Sequence, residues 1–366
     1  MRAYAILMML QGHFIHTLLA DEYRTEASLW YGGWAFMRGM TAPIFFFASG
    51  LIFVFLLLMD RRPFRENQRV QKGLRRGAQL ILIGYALRLC FPQLLIGHFA
   101  PDILSVDVLH CIGLALLSLV GLFGLSQYTR LPFPLLLLLG AGAAFFFYFD
   151  VTKADWSALP LALENYLTQA NGSVFTPVPW IGYTLLGGVL GYTLHHRPQW
   201  AFGYSLPATL MVFGLLTHAY SSDWLMDLHR WTGVEQFKQH AYFNFLLKRL
   251  GHVFVVTALF VWLAQAWRAV PQLLLRVGSE TLIIYEVHYI VLYSSWLGIG
   301  LSRFWAHALS PAAAIVGALL FVASFLLLIA YIDPVRAFAK SKQERVLRLA
   351  RLWLYRRRRA WAIHAK

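Results

Sequence analysis

Of the 366 residues, only 13% are charged and 59% are hydrophobic, whereas soluble domains carry about 25% charged residues. This composition excludes a soluble globular protein, a disordered chain, a collagen and a coiled coil. The two cysteines, Cys90 and Cys111, lie in apolar runs, which excludes a disulfide framework and a cysteine-based zinc site. The chain is therefore predicted to be a polytopic membrane protein, and its net charge of +15 needs an explanation other than solubility.

Apolar segments predict an all-α bundle of about ten transmembrane helices. A bilayer core about 30 Å thick requires roughly 20 apolar residues per helix. The qualifying segments are 3–20, 41–59, 77–97, 106–126, 131–149, 178–195, 201–219, 250–267, 278–298 and 311–332. Residues 1–333 are thus predicted to form the membrane domain. Residues 334–366 are predicted to form a basic amphipathic helix that lies on anionic lipid.

The distribution of basic residues orients this bundle. Lys and Arg gather in cytoplasmic loops of membrane proteins. Seven of the 32 basic residues lie in 60–76 and eleven in 336–366. With an even number of spans, both termini are predicted to be cytoplasmic. A basic tail is also typical of nucleic-acid-binding proteins, but beside so many predicted spans it favours membrane lipids as the partner, and no nucleic acid is expected.

Ionisable residues inside predicted spans are candidate site residues because burying them in hydrocarbon costs several kcal/mol. Arg2 and His13 are eleven residues apart, so they project about 20° apart around the first helix and lie roughly 16 Å apart along it. His16 shares this face near its outer end, and a hydrogen bond between helices is an alternative role for it. Arg38 precedes the second span, where an interfacial anchor is the alternative.

Later spans supply further candidates for substrate binding, mostly in the half of the membrane predicted to face outward. They are Arg88, His110, Trp180, Arg249, His252, Glu286 and His288. Trp180 is equally typical of an interfacial aromatic belt. Glu286 and His288 are about 200° apart around one helix and cannot face the same cavity. No metal-ligand spacing, phosphate-binding loop or nucleophile elbow is present, so no metal is expected.

Five motifs in order along the chain resemble one known family. They are Arg2…His13, RGMTAPIFFFASG at 38–50, DVLHCIG at 107–113, FTPVPWIG at 175–182 and GSETLIIYEVH at 278–288. Together they resemble the heparan-α-glucosaminide N-acetyltransferase catalytic-domain family, within the transmembrane acyltransferase superfamily that includes the family 3 acyltransferases. The resemblance extends over about residues 2–300.

This resemblance implies transfer of an acyl group, usually acetyl, from cytoplasmic acyl-CoA to a sugar hydroxyl or amine across a bacterial inner membrane. Arg2 and His13 match the Arg-x10-His pattern of family 3 enzymes, so His13 would be a general base or an acyl acceptor. Arg38 would stabilise an oxyanion or hold an acidic acceptor. The basic segment 60–76 would attract the phosphates of CoA. The acceptor would be a glycan or lipid-linked sugar, with a homodimer left open.

Two alternatives stay open at this point. In the lysosomal enzyme of the group, an asparagine matches His13 and the catalytic histidine lies further on, where this chain has Arg24. The catalytic role here therefore belongs to His13 or is shared with His16. A proton-coupled transporter is the second functional hypothesis because Glu286 and other charges lie within spans, although the internal repeat typical of transporters is not found.

Overall fold

The computed structural model describes residues 1–25, 28–98, 101–267, 269–338 and 342. Over these residues the chain is helical and forms no strand beyond two isolated bridges, which confirms the all-α class. Most of the predicted tail, 334–366, lies outside the described residues.

The helices are α1 (Arg2–Leu18), α2 (Leu29–Gly39), α3 (Thr41–Met59), α4 (Gln68–Leu87), α5 (Phe91–Leu95), α6 (Val108–Thr129), α7 (Phe133–Phe146), α8 (Tyr148–Lys153), α9 (Leu161–Glu164), α10 (Pro177–His196), α11 (Ser205–Thr232), α12 (Glu235–Tyr242), α13 (Phe245–Ala266), α14 (Gln272–Ser279), α15 (Thr281–Tyr293), α16 (Leu301–Trp305) and α17 (Pro311–Ala330).

A helix overlaps each of the predicted spans, but the membrane-crossing potential of these helices differs. Four stretches in the described part of the chain are long and apolar enough to cross a bilayer: Leu29–Met59, Asp102–Thr129, Phe245–Ala266 and Pro311–Ala330. Two further helices, α7 and α15, are apolar but shorter. The count of about ten crossings and the cytoplasmic placement of both termini remain predictions.

The predicted third span, 77–97, is wrong at both ends. Its helix, α4, begins at Gln68 because Asn67 caps it, accepting hydrogen bonds from two backbone N–H groups of the first turn. Half of the predicted basic loop 60–76 is therefore helical. At the other end α4 stops before Arg88. The short helix α5 starts at Phe91 because Pro92 is tolerated only in a first helical turn.

Two other segments differ from their predicted lengths. The seventh, predicted as 201–219, becomes the 28-residue α11, about 42 Å long and therefore longer than a bilayer core. It continues until Gly233, whose φ of 73° ends the helix in the left-handed conformation. The ninth, predicted as 278–298, is interrupted at Glu280, where α14 ends and α15 begins.

Glycines bring α3 and α10 into close contact. A Cβ built on Gly187 would lie 1.9 Å from the Phe47 carbonyl oxygen, and one on Gly50 would lie 1.8 Å from the Thr184 carbonyl oxygen. Small residues allow such backbone contact between membrane helices. The first helix, α1, packs against α3, α14, α15 and α17, so its polar face meets residues from the C-terminal part of the chain.

Candidate functional site

The centre of the candidate site is a pair of histidines on α1 and α15. The Nδ1 atom of His13 lies 3.0 Å from the Nε2 atom of His288, a hydrogen-bonding distance. His288 has no exposed surface, whereas His13 is partly buried. The two residues are 275 positions apart in sequence, and the structure brings together one residue predicted to be catalytic and one predicted to bind substrate.

A row of tyrosines on α15 surrounds this pair. Tyr285 and Tyr293 lie with ring centroids 4.9 and 6.2 Å from that of His288, and Tyr293 is also 5.9 Å from His13. The spacing of four residues between Tyr285, Tyr289 and Tyr293 places all three on one helical face. Sequence reasoning assigned them no role, although this spacing beside a histidine was visible.

Arg38, on α2, packs against α1 at Gly12, the residue before His13. Its aliphatic stem lies so close to Gly12 that a Cβ there would be 2.9 Å from the Arg38 Cγ atom. The guanidinium lies 5.5 Å from the ring centroid of Trp34, and Trp34 in turn donates a 2.8 Å hydrogen bond to Gln11. The positive charge of Arg38 interacts electrostatically with the His13 imidazole. The second residue predicted to be catalytic is thus placed beside the first.

At the opposite end of α1, Arg2 donates a 2.8 Å hydrogen bond to the Thr281 hydroxyl at the start of α15. Its Nε atom is buried without a partner among the described residues. The charge of Arg76 on α4 interacts electrostatically with both Arg2 and Glu286. Arg2 therefore lies at the other end of α1 from His13, whereas Glu286 lies on α15 only two residues before His288.

Arg88, Asp107 and His110 form another buried group. Arg88, predicted to lie within the third span, instead follows the last residue of α4, and its Nε atom lies 3.8 Å from a carboxylate oxygen of Asp107. His110 is fully buried, with Nδ1 3.0 Å from Asp107 Oδ1. Asp107 also caps α6 together with His110. Tyr85 packs edge-on against His110 at 4.2 Å and donates its hydroxyl to Tyr166 at 3.2 Å.

Arg249 and His252 form a third group on α13. The His252 ring lies 4.3 Å from that of His218 on α11 and 4.9 Å, edge-on, from that of Phe36 on α2. A Cβ on Gly39 would lie 3.7 Å from the Arg249 Nη2 atom. His218 was not selected from the sequence, although it lies in the predicted span 201–219 and the criterion of an ionisable residue within a span would have found it.

Among the described residues, Trp180, His16 and Arg24 make no hydrogen bond or ring contact with the histidine pair, although His16 lies one turn from His13 on α1. Trp180 packs among Phe46 and Phe175 with ring centroids 5.7 and 5.0 Å away. His16 is exposed at the end of α1. Arg24 donates hydrogen bonds to the backbone carbonyls of His16 and Leu19 and so caps that end of α1.

The described residues contain no cluster of three or more His, Cys, Asp or Glu side chains that could hold a metal ion. The groups that are present are imidazole, guanidinium, carboxyl and phenol. Such a set can move protons and bind anions without a metal.

Comparison with known proteins points to the same family as the motifs. Neither the curated proteins nor the solved structures gave a match. A family model described as "Heparan-alpha-glucosaminide N-acetyltransferase, catalytic" matches residues 1–222. This range includes His13, Arg38, Arg88, His110 and Trp180 but ends before α15, so His288 joins the site through the fold. Because more than half of its residues match, the chain belongs to the heparan-alpha-glucosaminide N-acetyltransferase catalytic-domain family, and its apolar helices make it an integral membrane protein of the transferase class.

Proposed function

We propose that the protein transfers an acyl group, acetyl by default, from cytoplasmic acyl-CoA to a sugar or glycan acceptor on the outer side of a bacterial inner membrane. Membership of the family supports acetyl transfer to a sugar. The observation that carries the proposal is the 3.0 Å contact between His13 and His288 inside the bundle, with Arg38 beside it. An acyl transfer needs a base at the acceptor and a positive group at the developing oxyanion.

The histidine contact leaves one ring nitrogen of His13 available as a base. Only one hydrogen can lie between His13 Nδ1 and His288 Nε2. When His13 Nδ1 donates it, the Nε2 atom of His13 carries a lone pair and can take the proton of an acceptor hydroxyl or amine. His288 then holds the ring in the required tautomer and orientation, as a carboxylate or carbonyl does for other catalytic histidines.

Acyl-CoA supplies the activated acyl group. Arg2, whose buried Nε atom has no hydrogen-bond partner among the described residues, and Arg76 lie at the end of α1 predicted to face the cytoplasm. Positive charge there attracts the CoA phosphates. His13 lies about 16 Å along the helix from Arg2, toward the predicted outer side. In this proposal a single helix therefore spans the distance between the donor's phosphates and the acceptor. Arg38 stabilises the oxyanion or holds an acidic group of the acceptor.

Incubation of purified protein with [14C]acetyl-CoA tests the proposal by measuring hydrolysis and transfer. A general base contributes about 10²- to 10⁴-fold to the rate, so His13→Gln is expected to lose that much activity. His288→Gln keeps a hydrogen-bonding side chain and is expected to retain more activity than His288→Ala. His98→Gln, a change at an exposed loop position, is the matched control and keeps full activity.

His16→Gln separates the two catalytic assignments. Equal losses in His13→Gln and His16→Gln indicate a shared role, whereas near-full activity in His16→Gln assigns the base to His13. If wild type neither hydrolyses acetyl-CoA nor transfers its label, the enzyme hypothesis is wrong. Counterflow uptake of a sugar into liposomes by such an inactive preparation supports the alternative of a proton-coupled transporter.

A further inference from the structure

Two arginines lie around the last turn of α2 from different helices. Arg38 belongs to α2 itself, and its stem passes over Gly12 toward α1. Arg249 comes from α13, and its Nη2 atom lies 3.7 Å from a Cβ position on Gly39. Each guanidinium rests near an aromatic ring, Trp34 at 5.5 Å and Phe245 at 5.1 Å. Both side chains are partly buried, and aromatic contacts of this kind hold a guanidinium in place without neutralising it.

Neither guanidinium has a carboxylate partner among the described residues. No salt bridge formed among the described residues includes Arg38 or Arg249. Two other arginines near the predicted outer ends of helices are paired: Arg24 lies 3.3 Å from Asp21, and Arg88 lies 3.8 Å from Asp107. A partly desolvated arginine without a counter-charge is costly. Two beside one helical turn therefore indicate that an anion completes the site.

The helix that carries Arg38 has an exposed apolar surface. No residue of α2 is buried, and its most exposed large side chains are Leu29 (85%), Trp30 (87%) and Phe36 (52%). In an integral membrane protein, an exposed apolar helix beside a span faces lipid. Phe36 also contacts His252, three residues from Arg249 on α13. The two arginines therefore lie at the end of an apolar helix that faces lipid.

From these observations we infer that Arg38 and Arg249 bind the phosphate of a lipid-linked sugar, whose lipid chain lies along α2. The inference rests on the proposed function and names the class of acceptor. It assigns Arg38 to binding the acceptor rather than to stabilising the oxyanion. Two arginines can each offer a fork of N–H donors to phosphate oxygens. The sugar attached to that phosphate then lies on the side of Arg38 occupied by His13, the proposed base.

Direct binding tests this inference without requiring catalysis. Purified full-length protein in a neutral maltoside detergent is titrated with [32P]dodecyl phosphate, a lipid-chain phosphate without a sugar. Wild type is expected to bind it saturably, and Arg38→Gln and Arg249→Gln are each expected to bind at least tenfold more weakly. Arg249→Lys keeps the charge without the fork and is expected to fall between these. Lys248→Gln removes one charge from an exposed neighbouring position on α13 and leaves binding unchanged.

Several outcomes contradict the inference. If binding of dodecyl phosphate does not saturate, no anion site exists at these arginines. The same conclusion follows if wild type and a monodisperse preparation of the Arg249→Gln variant bind it equally. Competition by CoA assigns the arginines to the donor instead of the acceptor. Inorganic phosphate competing as strongly as dodecyl phosphate removes the lipid from the proposal. If binding behaves as expected while [14C]acetyl-CoA is never consumed, the acyltransferase proposal fails and the anion site stands.

Discussion

Replacing Gly187 by alanine tests the close approach of α3 and α10. The added Cβ would lie 1.9 Å from the Phe47 carbonyl oxygen, whereas ordinary contacts begin at 3.4 Å. The two helices must therefore separate by about 1.5 Å at this level. They cannot do so locally, because Gly191 on α10 also lies too close to α3 for a side chain, with a Cβ position 2.3 Å from the Leu51 carbonyl oxygen.

The expected cost follows from two opposing effects. Alanine is a better helix former than glycine by up to about 1 kcal/mol, while overpacking a tight interface costs about 1–3 kcal/mol. A separation of about 1.5 Å lies at the upper end of that range, which leaves a net loss of roughly 2 kcal/mol. Such a loss lowers the melting temperature by several degrees in a protein of this size.

Thermal unfolding in detergent measures this difference against a matched control. Gly142 on α7 has no atom within 4 Å of its Cβ position, so Gly142→Ala is expected to leave the melting temperature unchanged or raise it slightly. If Gly187→Ala and Gly142→Ala unfold within one degree of each other, the backbones of α3 and α10 do not approach as described, and the argument from contact distance is refuted.

Three further changes probe helix ends. Asp107→Asn preserves the α6 cap, whereas Asp107→Ala removes it and is expected to cost about 1 kcal/mol more in thermal unfolding. In the loop after α3, hydrogen bonds from Arg62 lower the pKa of Asp60. The stability that the Asp60 carboxylate contributes is therefore present above its unfolded pKa near 4 and is lost as the pH falls below that value. Asp60→Asn is expected to weaken the dependence of the melting temperature on pH between about pH 5 and pH 3. Arg24→Gln removes the cap of α1 and is expected to lower stability by about 1–2 kcal/mol; an unchanged melting temperature would contradict that role.

Composition and hydropathy predicted the helical class and the approximate places of the helices, because a bilayer demands long apolar segments. Helix ends were less predictable where polar side chains decide them. The start of α4 depends on the Asn67 cap, which extends the helix through arginines and a lysine that read as loop. Its end depends on Pro92, one residue inside the next short helix. Charge density alone therefore misplaced the boundary between loop and span.

The candidate site was predictable residue by residue but not as an arrangement. Arg2 and His13 share a helical face by spacing alone, and hydrocarbon burial singled out His288. Their relation to other helices depends on α15 packing against α1, a contact between distant segments that one sequence does not reveal.

The proposed assignment of the catalytic base to His13 draws on both the fold and the family resemblance. The resemblance left a choice, because the related lysosomal enzyme carries its histidine further along, where this chain has Arg24. Here Arg24 is committed to the carbonyls that end α1, and His16 is exposed one turn beyond the buried pair. His13 is held by His288 and lies beside Arg38. Of the residues in this stretch, His13 therefore combines a fixed ring orientation with a free nitrogen, the two properties that a general base requires.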